Sequence, residues 1–240
     1  MASEGLRRQL TAILSADVKG YSRLMGEDEP ATVIMLKAYR HAITEIAAAH
    51  NGRVVDSPGD NILVEFASIV DAVECGVAIQ KTLKDKNSEV PEARRMEYRI
   101  GINLGDVIHD EGRIYGDGVN IAARMESLAE PSGIAVSGTA FDSVWNKLKY
   151  GYEYTGEHQV KNIKKPVRVY RVLTDPAQAG KIIGEMEGGR SAMPKTVLAI
   201  AVVVFLLGAI YFYVANHPSM DAAKANRIAQ EMENRPSLAV

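Results

Sequence analysis

The run Gly52-Arg-Val-Val-Asp-Ser-Pro-Gly-Asp-Asn-Ile-Leu-Val-Glu-Phe66 constrains the fold most, because it reads as two strands joined by a tight turn and lies between two helical patterns. Pro58 and Gly59 occupy the places that a type II turn prefers. Before it, Val33, Leu36, Ile43, Ile46 and Ala47 recur at helical spacing in a helix predicted from Asp28 to His50 and capped near Asp28. After it, Val70, Val73 and Val77 mark the inward side of a helix from Ile69 to about Leu83. A buried strand at Ala12 to Leu14 opens this pattern. The alternation of Met96, Tyr98, Ile100, Ile102 and Leu104 closes it with a strand that is predicted to turn near Gly105, with Asp106 and Asp110 as turn residues. The order β-α-β-β-α-β indicates an α/β (α+β) fold, a ferredoxin-like sandwich. A C-terminal α/β extension follows: a strand at Gly133 to Val136, a helix from Ser137 to about Lys147, and strands at Tyr152 to Val160 and Val167 to Val172. The connection from Lys84 to Arg95, which contains Pro91, is expected to be an exposed loop.

Chemistry concentrates in three places. In Arg113-Ile-Tyr-Gly-Asp-Gly-Val-Asn-Ile-Ala-Ala-Arg124 a tight turn opens into a helix, with Asp117 as its expected cap and Ile121, Met125 and Leu128 as its buried stripe. Asn120 and Arg124 then share another face, one turn apart. An amide and a five-donor guanidinium near a helix N-terminus suit an anion that gains charge during a reaction; a surface arginine on an ordinary amphipathic helix is the other reading of the same residues. In Leu10-Thr-Ala-Ile-Leu-Ser-Ala-Asp-Val-Lys-Gly-Tyr-Ser22, Asp17 ends a core strand ahead of Gly20, a residue that lets backbone approach a ligand closely. An acid so placed can hold a divalent ion against phosphate oxygens. Asp60 follows the Pro58-Gly59 turn and is a second such acid, although Pro-Gly-Asp is also common in solvent-facing hairpins.

Tyr115-Gly-Asp-Gly-Val-Asn120-Ile-Ala-Ala-Arg124 resembles the transition-state segment of class III nucleotide cyclases, and the Asp17 and Asp60 segments resemble the two metal-binding segments of that family. The resemblance extends over about residues 8 to 173. It implies that Asp17 and Asp60 hold two divalent cations, Mg²⁺ or Mn²⁺, that Asn120 orients the ribose, and that Arg124 stabilises the charge building on the α-phosphate. It also implies that a lysine of the segment Val160 to Tyr170 contacts the terminal phosphates, Lys161 first and Lys164 second. Family members pair two catalytic domains, so a homodimer with sites at its interface is implied: Asp17 and Asp60 from one copy, and Asp56, Arg113, Asn120 and Arg124 from the other. The expected activity is conversion of ATP to 3′,5′-cyclic AMP and pyrophosphate, a phosphorus-oxygen lyase reaction in signal transduction.

Two positions depart from the pattern. Many adenylate-forming members carry Lys four residues before the second metal acid and Asp or Thr seven before the Asn. Here Asp56 and Arg113 stand there. Guanine offers donors at N1 and its 2-amino group and an acceptor at O6, so an acid with a guanidinium fits guanine better than adenine. Guanylate cyclase is therefore an alternative, as is an inactive nucleotide-binding sensor or dimerisation module. A membrane scaffold whose tail binds a partner is a rival from another class. A diguanylate cyclase would need a Gly-Gly-acid hairpin, which Ser57-Pro-Gly-Asp-Asn61 is not.

A net charge of −2 argues against a nucleic-acid partner. The lone Cys75, among Val73, Val77 and Ala78, excludes an internal disulfide and reads as a buried structural thiol. The histidines have no ligand spacing. No secretory signal is read in Ala2 to Leu10. The organisation read from the sequence is a catalytic domain at 1–173, a glycine-rich linker at 174–195, a transmembrane helix at 196–215 and a short tail at 216–240. The apolar run from Thr196 to Ala215 is uncharged and flanked by tyrosines on its far side. The expected location is the cell membrane, single-pass, with the catalytic domain cytoplasmic and the tail outside.

Overall fold

A computed structural model describes residues 7–160, 163, 165–184, 206–213 and 220–233. The chain divides into two compact units, residues 1–185 and 186–240. In the first, nine strands form one sheet: β1 (Arg7–Val18), β2 (Gly52–Asp56), β3 (Ile62–Phe66), β4 (Tyr98–Asp110), β5 (Arg113–Tyr115), β6 (Ile134–Ser137), β7 (Gly151–His158), β8 (Val167–Leu173) and β9 (Ile182–Ile183). The order is β2-β3-β1-β4-β6-β8-β7-β9, with β5 pairing to β4. The helices are α1 (Tyr21–Glu27), α2 (Glu29–Ala49), α3 (Ile69–Asn87), α4 (Asp117–Leu128) and α5 (Gly138–Val144). The first four long strands with α2 and α3 give the predicted βαββαβ order.

Local chemistry sets the helix ends. The Asp28 carboxylate accepts from the Ala31 N–H at 3.1 Å and caps α2, whose first turn holds Pro30. Ser68 caps α3 through the Asp71 N–H, and Ser137 caps α5 through the Ala140 N–H. On β1, Ala12, Leu14 and Ala16 face a core shared with Leu36 and Ile43 of α2, Val73 and Ile79 of α3 and Phe141 of α5. Ile13 faces the other way, into a cluster with Leu63, Val107, Ile114 and Ala122 of α4. Helix α4 therefore covers the opposite face of the sheet.

Four expectations change. Strand β4 does not turn at Gly105: it pairs with β1 without interruption from Val18↔Tyr98 to Arg7↔His109, so Asp106 and Asp110 lie in the strand. The turn comes at Glu111 and Gly112, both left-handed at φ 45° and 81°, the pair of conformations a two-residue hairpin needs. In the β2–β3 hairpin the Asn61 N–H bonds to the Pro58 carbonyl at 3.0 Å, so Gly59, at φ 57°, is the second residue of the turn and not the third. Helix α3 runs on to Asn87, which is buried and bonds to the Tyr39 hydroxyl and to both backbone groups of Met96, so this end of the connection is not exposed loop. Asp117 is the first residue of α4 and makes no capping bond; Gly116 precedes it in a conformation (φ 117°, ψ −175°) that side chains avoid.

The span read as linker begins inside the first unit, where Pro176–Gln178 forms a 3₁₀ turn and Ile182 pairs in register with Tyr152 of β7. In the second unit residues 206–213 and Met220–Glu233 are helical. Among the described residues no helix is long and apolar enough to cross a membrane; residues 196–205, 214 and 215 of the predicted transmembrane run lie outside them.

Candidate active site

Asp17 is the last residue but one of β1, on the α4 side of the sheet, and stands in register with Arg99 of β4. The guanidinium grips it twice, Nε to Oδ1 at 3.0 Å and Nη2 to Oδ2 at 2.6 Å, with both side chains about one-fifth exposed, at 21% and 19%. Asp60 is carried to the same strand end by its hairpin, and its Oδ2 accepts from the Val18 N–H at 3.3 Å. The hairpin is also held from α2, where Arg40 donates to the Gly59 carbonyl. Gly20 follows, left-handed at φ 72°, with open space where a Cβ would stand apart from a distant Arg23 atom. Conformation as well as access therefore accounts for glycine there.

Glu126 was not singled out in the sequence. It lies on the buried face of α4 and is 6% exposed. Its Oε2 accepts from Ser15 Oγ at 2.6 Å and from Asn61 Nδ2 at 2.8 Å. Burial pushes its carboxyl up to about 7; the Ser15 hydrogen bond opposes this, and the neighbouring Asp17 carboxylate adds to it. Helix α4 can lie this close because residue 101 is glycine: a Cβ there would stand 2.0 Å from the Glu126 nitrogen and 2.3 Å from the Ala122 carbonyl.

Asn120 and Arg124 are both exposed on the outer face of α4, one turn apart. Among the described residues no hydrogen bond or ion pair joins them to Asp17 or Asp60 of the same chain. The start of the helix is pinned by Asn103, whose Nδ2 donates to the Gly118 carbonyl at 3.0 Å while its Oδ1 accepts from Ser137 and Thr139. Asn103 and Thr139 also line a cleft of about 430 Å³ with Arg8, Asp106, Gly116 and Asp117.

Asp56 ends β2 at a bulge and accepts from the Ser57 N–H at 2.8 Å; Arg113 opens β5 and is exposed. Their chain neighbours Val55 and Ile114 pack in the same cluster. No ion pair joins Asp56 to Arg113 among the described residues. Lys161 and Lys164 lie outside the described residues.

Whether divalent cations suit this strand end is decided by its donors. Asp17 and Asp60 stand there with the buried Glu126 carboxyl beside Asp17, and among the described residues no group of three or more His, Cys, Asp or Glu has metal-binding geometry. Two hard oxygen ligands are what Mg²⁺ or Mn²⁺ takes when phosphates and waters complete its shell, so the residues fit. A zinc site of soft or nitrogen ligands does not.

The family model described as the adenylate and guanylate cyclase catalytic domain matches residues 7–174. "Putative adenylate cyclase 3" of Rhizobium meliloti (strain 1021) is 43% identical over 171 residues, 71% of this chain and 29% of that protein. "Adenylate cyclase" of Streptomyces coelicolor is 30% identical over 133 residues, 54% of this chain and 32% of that protein. The chain thus spans about a third or less of the length of these relatives. The crystal structure of an adenylate/guanylate cyclase/hydrolase from Silicibacter pomeroyi superposes with a TM-score of 0.66 at 37% identity, over 70% of this chain and 99% of that one. The chain belongs to the class III adenylate and guanylate cyclase catalytic domain family.

Proposed function

We propose that this chain is a membrane-anchored nucleotide cyclase that converts ATP to 3′,5′-cyclic AMP and pyrophosphate as a homodimer. The observation that carries the reading is the convergence of Asp17 and Asp60 on one strand end, with Asn120 and Arg124 displayed outward on α4. Among the described residues the outward pair has no hydrogen bond or ion pair with a same-chain acid, which suits a site completed by a second copy. In that dimer Asp17 and Asp60 of one chain meet Asp56, Arg113, Asn120 and Arg124 of the other.

In the reaction the ribose 3′-hydroxyl loses its proton to solvent and its oxygen bonds to the α-phosphorus while the bond from that phosphorus to the β-phosphate oxygen breaks, releasing pyrophosphate. Asn120 orients the ribose so that the 3′-oxygen is held in line. Arg124 donates to the α-phosphate oxygens as they gain charge, from a backbone position fixed by the regular helix. Gly20 leaves room for phosphate beside the backbone, and Lys161 meets the terminal phosphates. Asp17 and Asp60 would hold two divalent cations, Mg²⁺ or Mn²⁺, which supply acidification of the 3′-hydroxyl and neutralisation of the triphosphate.

GTP is the second reading for the substrate. It is favoured by Asp56 and Arg113, which are not spent on each other and offer the acceptor and donors that guanine requires.

The proposed organisation is a catalytic domain at 1–173, a linker at 174–195, a transmembrane helix at 196–215 and a tail at 216–240. The cell membrane is the location, with the catalytic domain in the cytoplasm, where nucleotide is found, and the tail outside. Support comes from the uncharged apolar run and from the helix at 206–213, whose Leu206, Leu207, Ile210 and Phe212 are all exposed.

The test is mass-spectrometric detection of product from the whole chain incubated with ATP or GTP and Mn²⁺, beside Asp60→Ala. Metal-dependent cyclic AMP that disappears in the variant supports the adenylate reading, and cyclic GMP selects the alternative. No product from a demonstrated dimer would overturn catalysis and favour a nucleotide-binding sensor.

A further inference from the structure

We infer that Glu126 is a positioning residue for metal binding, tying the strand that bears Asp17, the hairpin that bears Asp60 and the helix that bears Asn120 and Arg124 through one carboxylate oxygen. This rests on the reading of Asp17 and Asp60 as the metal-holding acids. Ser15, which donates to Glu126 at 2.6 Å, is two residues before Asp17 and therefore on the same side of β1. Asn61, which donates at 2.8 Å, directly follows Asp60, and its backbone N–H closes the hairpin turn on Pro58. The Asn61 amide also reaches Ser15 Oγ at 3.2 Å, so the three side chains form a closed triangle. Glu126 thus bonds to the residue two before one acid and to the residue directly after the other.

The helix end of this tie is rigid. Main chain of α4 rests on Gly101 so closely that no side chain fits between them. The Glu126 backbone therefore has little freedom to drift. Burying a carboxyl costs free energy that its hydrogen bonds offset only in part, so its use here in place of an apolar side chain points to the geometry those bonds define. Here the geometry is the separation of the strand end from the hairpin tip, on which the spacing of two carboxylates depends. Hydrogen-bonded neighbours of metal-holding groups commonly change affinity without touching the ion.

The experiment titrates Mn²⁺ alone, by calorimetry, into the whole chain and into Glu126→Ala, Glu126→Gln, Asn61→Ala and Asp60→Ala. Circular dichroism and dimerisation serve as checks of folding. Glu126→Ala is expected to weaken Mn²⁺ binding about tenfold or more. Glu126→Gln, whose amide oxygen can still accept from Ser15 and Asn61, is expected to retain most of it. If Glu126→Ala fails to fold, Asn61→Ala carries the same expectation, because it cuts the hairpin from the triangle and leaves α4 intact. Unchanged affinity in a folded Glu126→Ala or Asn61→Ala, with Asp60→Ala losing binding, overturns the positioning role and leaves the metal site standing. Equal losses in Glu126→Ala and Glu126→Gln also overturn it, since charge and not hydrogen bonding would then be what the ion senses. Binding that survives Asp60→Ala overturns the metal reading and this inference with it.

Discussion

On one face of the sheet α2, α3 and α5 cover a continuous apolar core that runs from Leu14 and Ile43 through Ile79 to Phe141 and Val172. On the other face α4 covers two small apolar clusters, and Ser15, Asn103 and Glu126 are buried there in hydrogen bonds. Apolar packing is non-directional and fixes where a layer lies, whereas hydrogen bonds also fix how a side chain points. The first face holds the sheet together, and the second aims the groups that the proposed chemistry needs. The two faces should therefore fail differently when damaged.

The largest contrast is expected from Arg124→Ala. Removing a donor that meets developing charge should lower kcat by about 10²–10³, with the melting temperature nearly unchanged because the side chain is exposed. Steady-state kinetics beside thermal melts read both quantities. A fall in melting temperature that accounts for the lost turnover would break the comparison. On the opposite face Ile79→Ala empties part of the core around a fully buried side chain. It should cost about 2–5 kcal/mol of unfolding free energy in urea melts, with turnover per folded molecule kept.

The same contrast explains what could be read before the structure. Strand and helix periodicities record burial against a continuous apolar layer, so Val73 on α3, the stripe on α2 and the alternation on β4 were legible. On α4 the large side chains Ile121, Met125 and Leu128 were expected to be buried. Met125 is buried as expected, but Ile121 and Leu128 are only partly buried, and Gly118, Ala122 and Glu126 take the inward places, because small residues let the helix settle onto Gly101 and rotate its stripe. An acid in line with Gly118 and Ala122 was the available signal for Glu126. Its partners Ser15 and Asn61 are 111 and 65 residues away, beyond the reach of any local pattern. The Arg99 grip on Asp17, spanning 82 residues, is hidden for the same reason. The residue pattern singles out Asp17, Asp60, Asn120 and Arg124 as candidates and the resemblance assigns their roles, since one acid after a strand or one Arg on a helix has many ordinary explanations.

A smaller effect should follow from exchanging polarity at the base-reading positions. Replacing Asp56 by Lys and Arg113 by Asp together restores the pattern of adenylate-forming members. It should shift the ratio of cyclic AMP to cyclic GMP formation toward cyclic AMP by about 10–100-fold, the worth of one well-paired base edge. Competition assays with both nucleotides present read the ratio directly. An unchanged ratio would remove these two residues from base recognition and leave the α4 face with positioning as its role.

The smallest expected effect is one that stays near zero while the chain is folded. Cys75 is fully buried on α3 in the apolar face, and burial raises its thiol from 9.0 to about 12. At pH 8 the reactive thiolate is then a fraction of about 10⁻⁴ in the folded chain, and the side chain is out of reach as well. Iodoacetamide should therefore modify Cys75 only as fast as the α3 face opens. The raised value also has a sign for stability. Between 9.0 and about 12 the unfolded chain has lost the thiol proton and the folded chain has kept it, so this contribution is whole below pH 9 and declines as pH rises toward 12. Ile79→Ala should accelerate alkylation in step with its loss of stability, and Arg124→Ala should leave the rate alone. Rapid alkylation of the unmutated chain at pH 8 would mean that the apolar face opens locally, and that the face assigned to holding the sheet together is the mobile one.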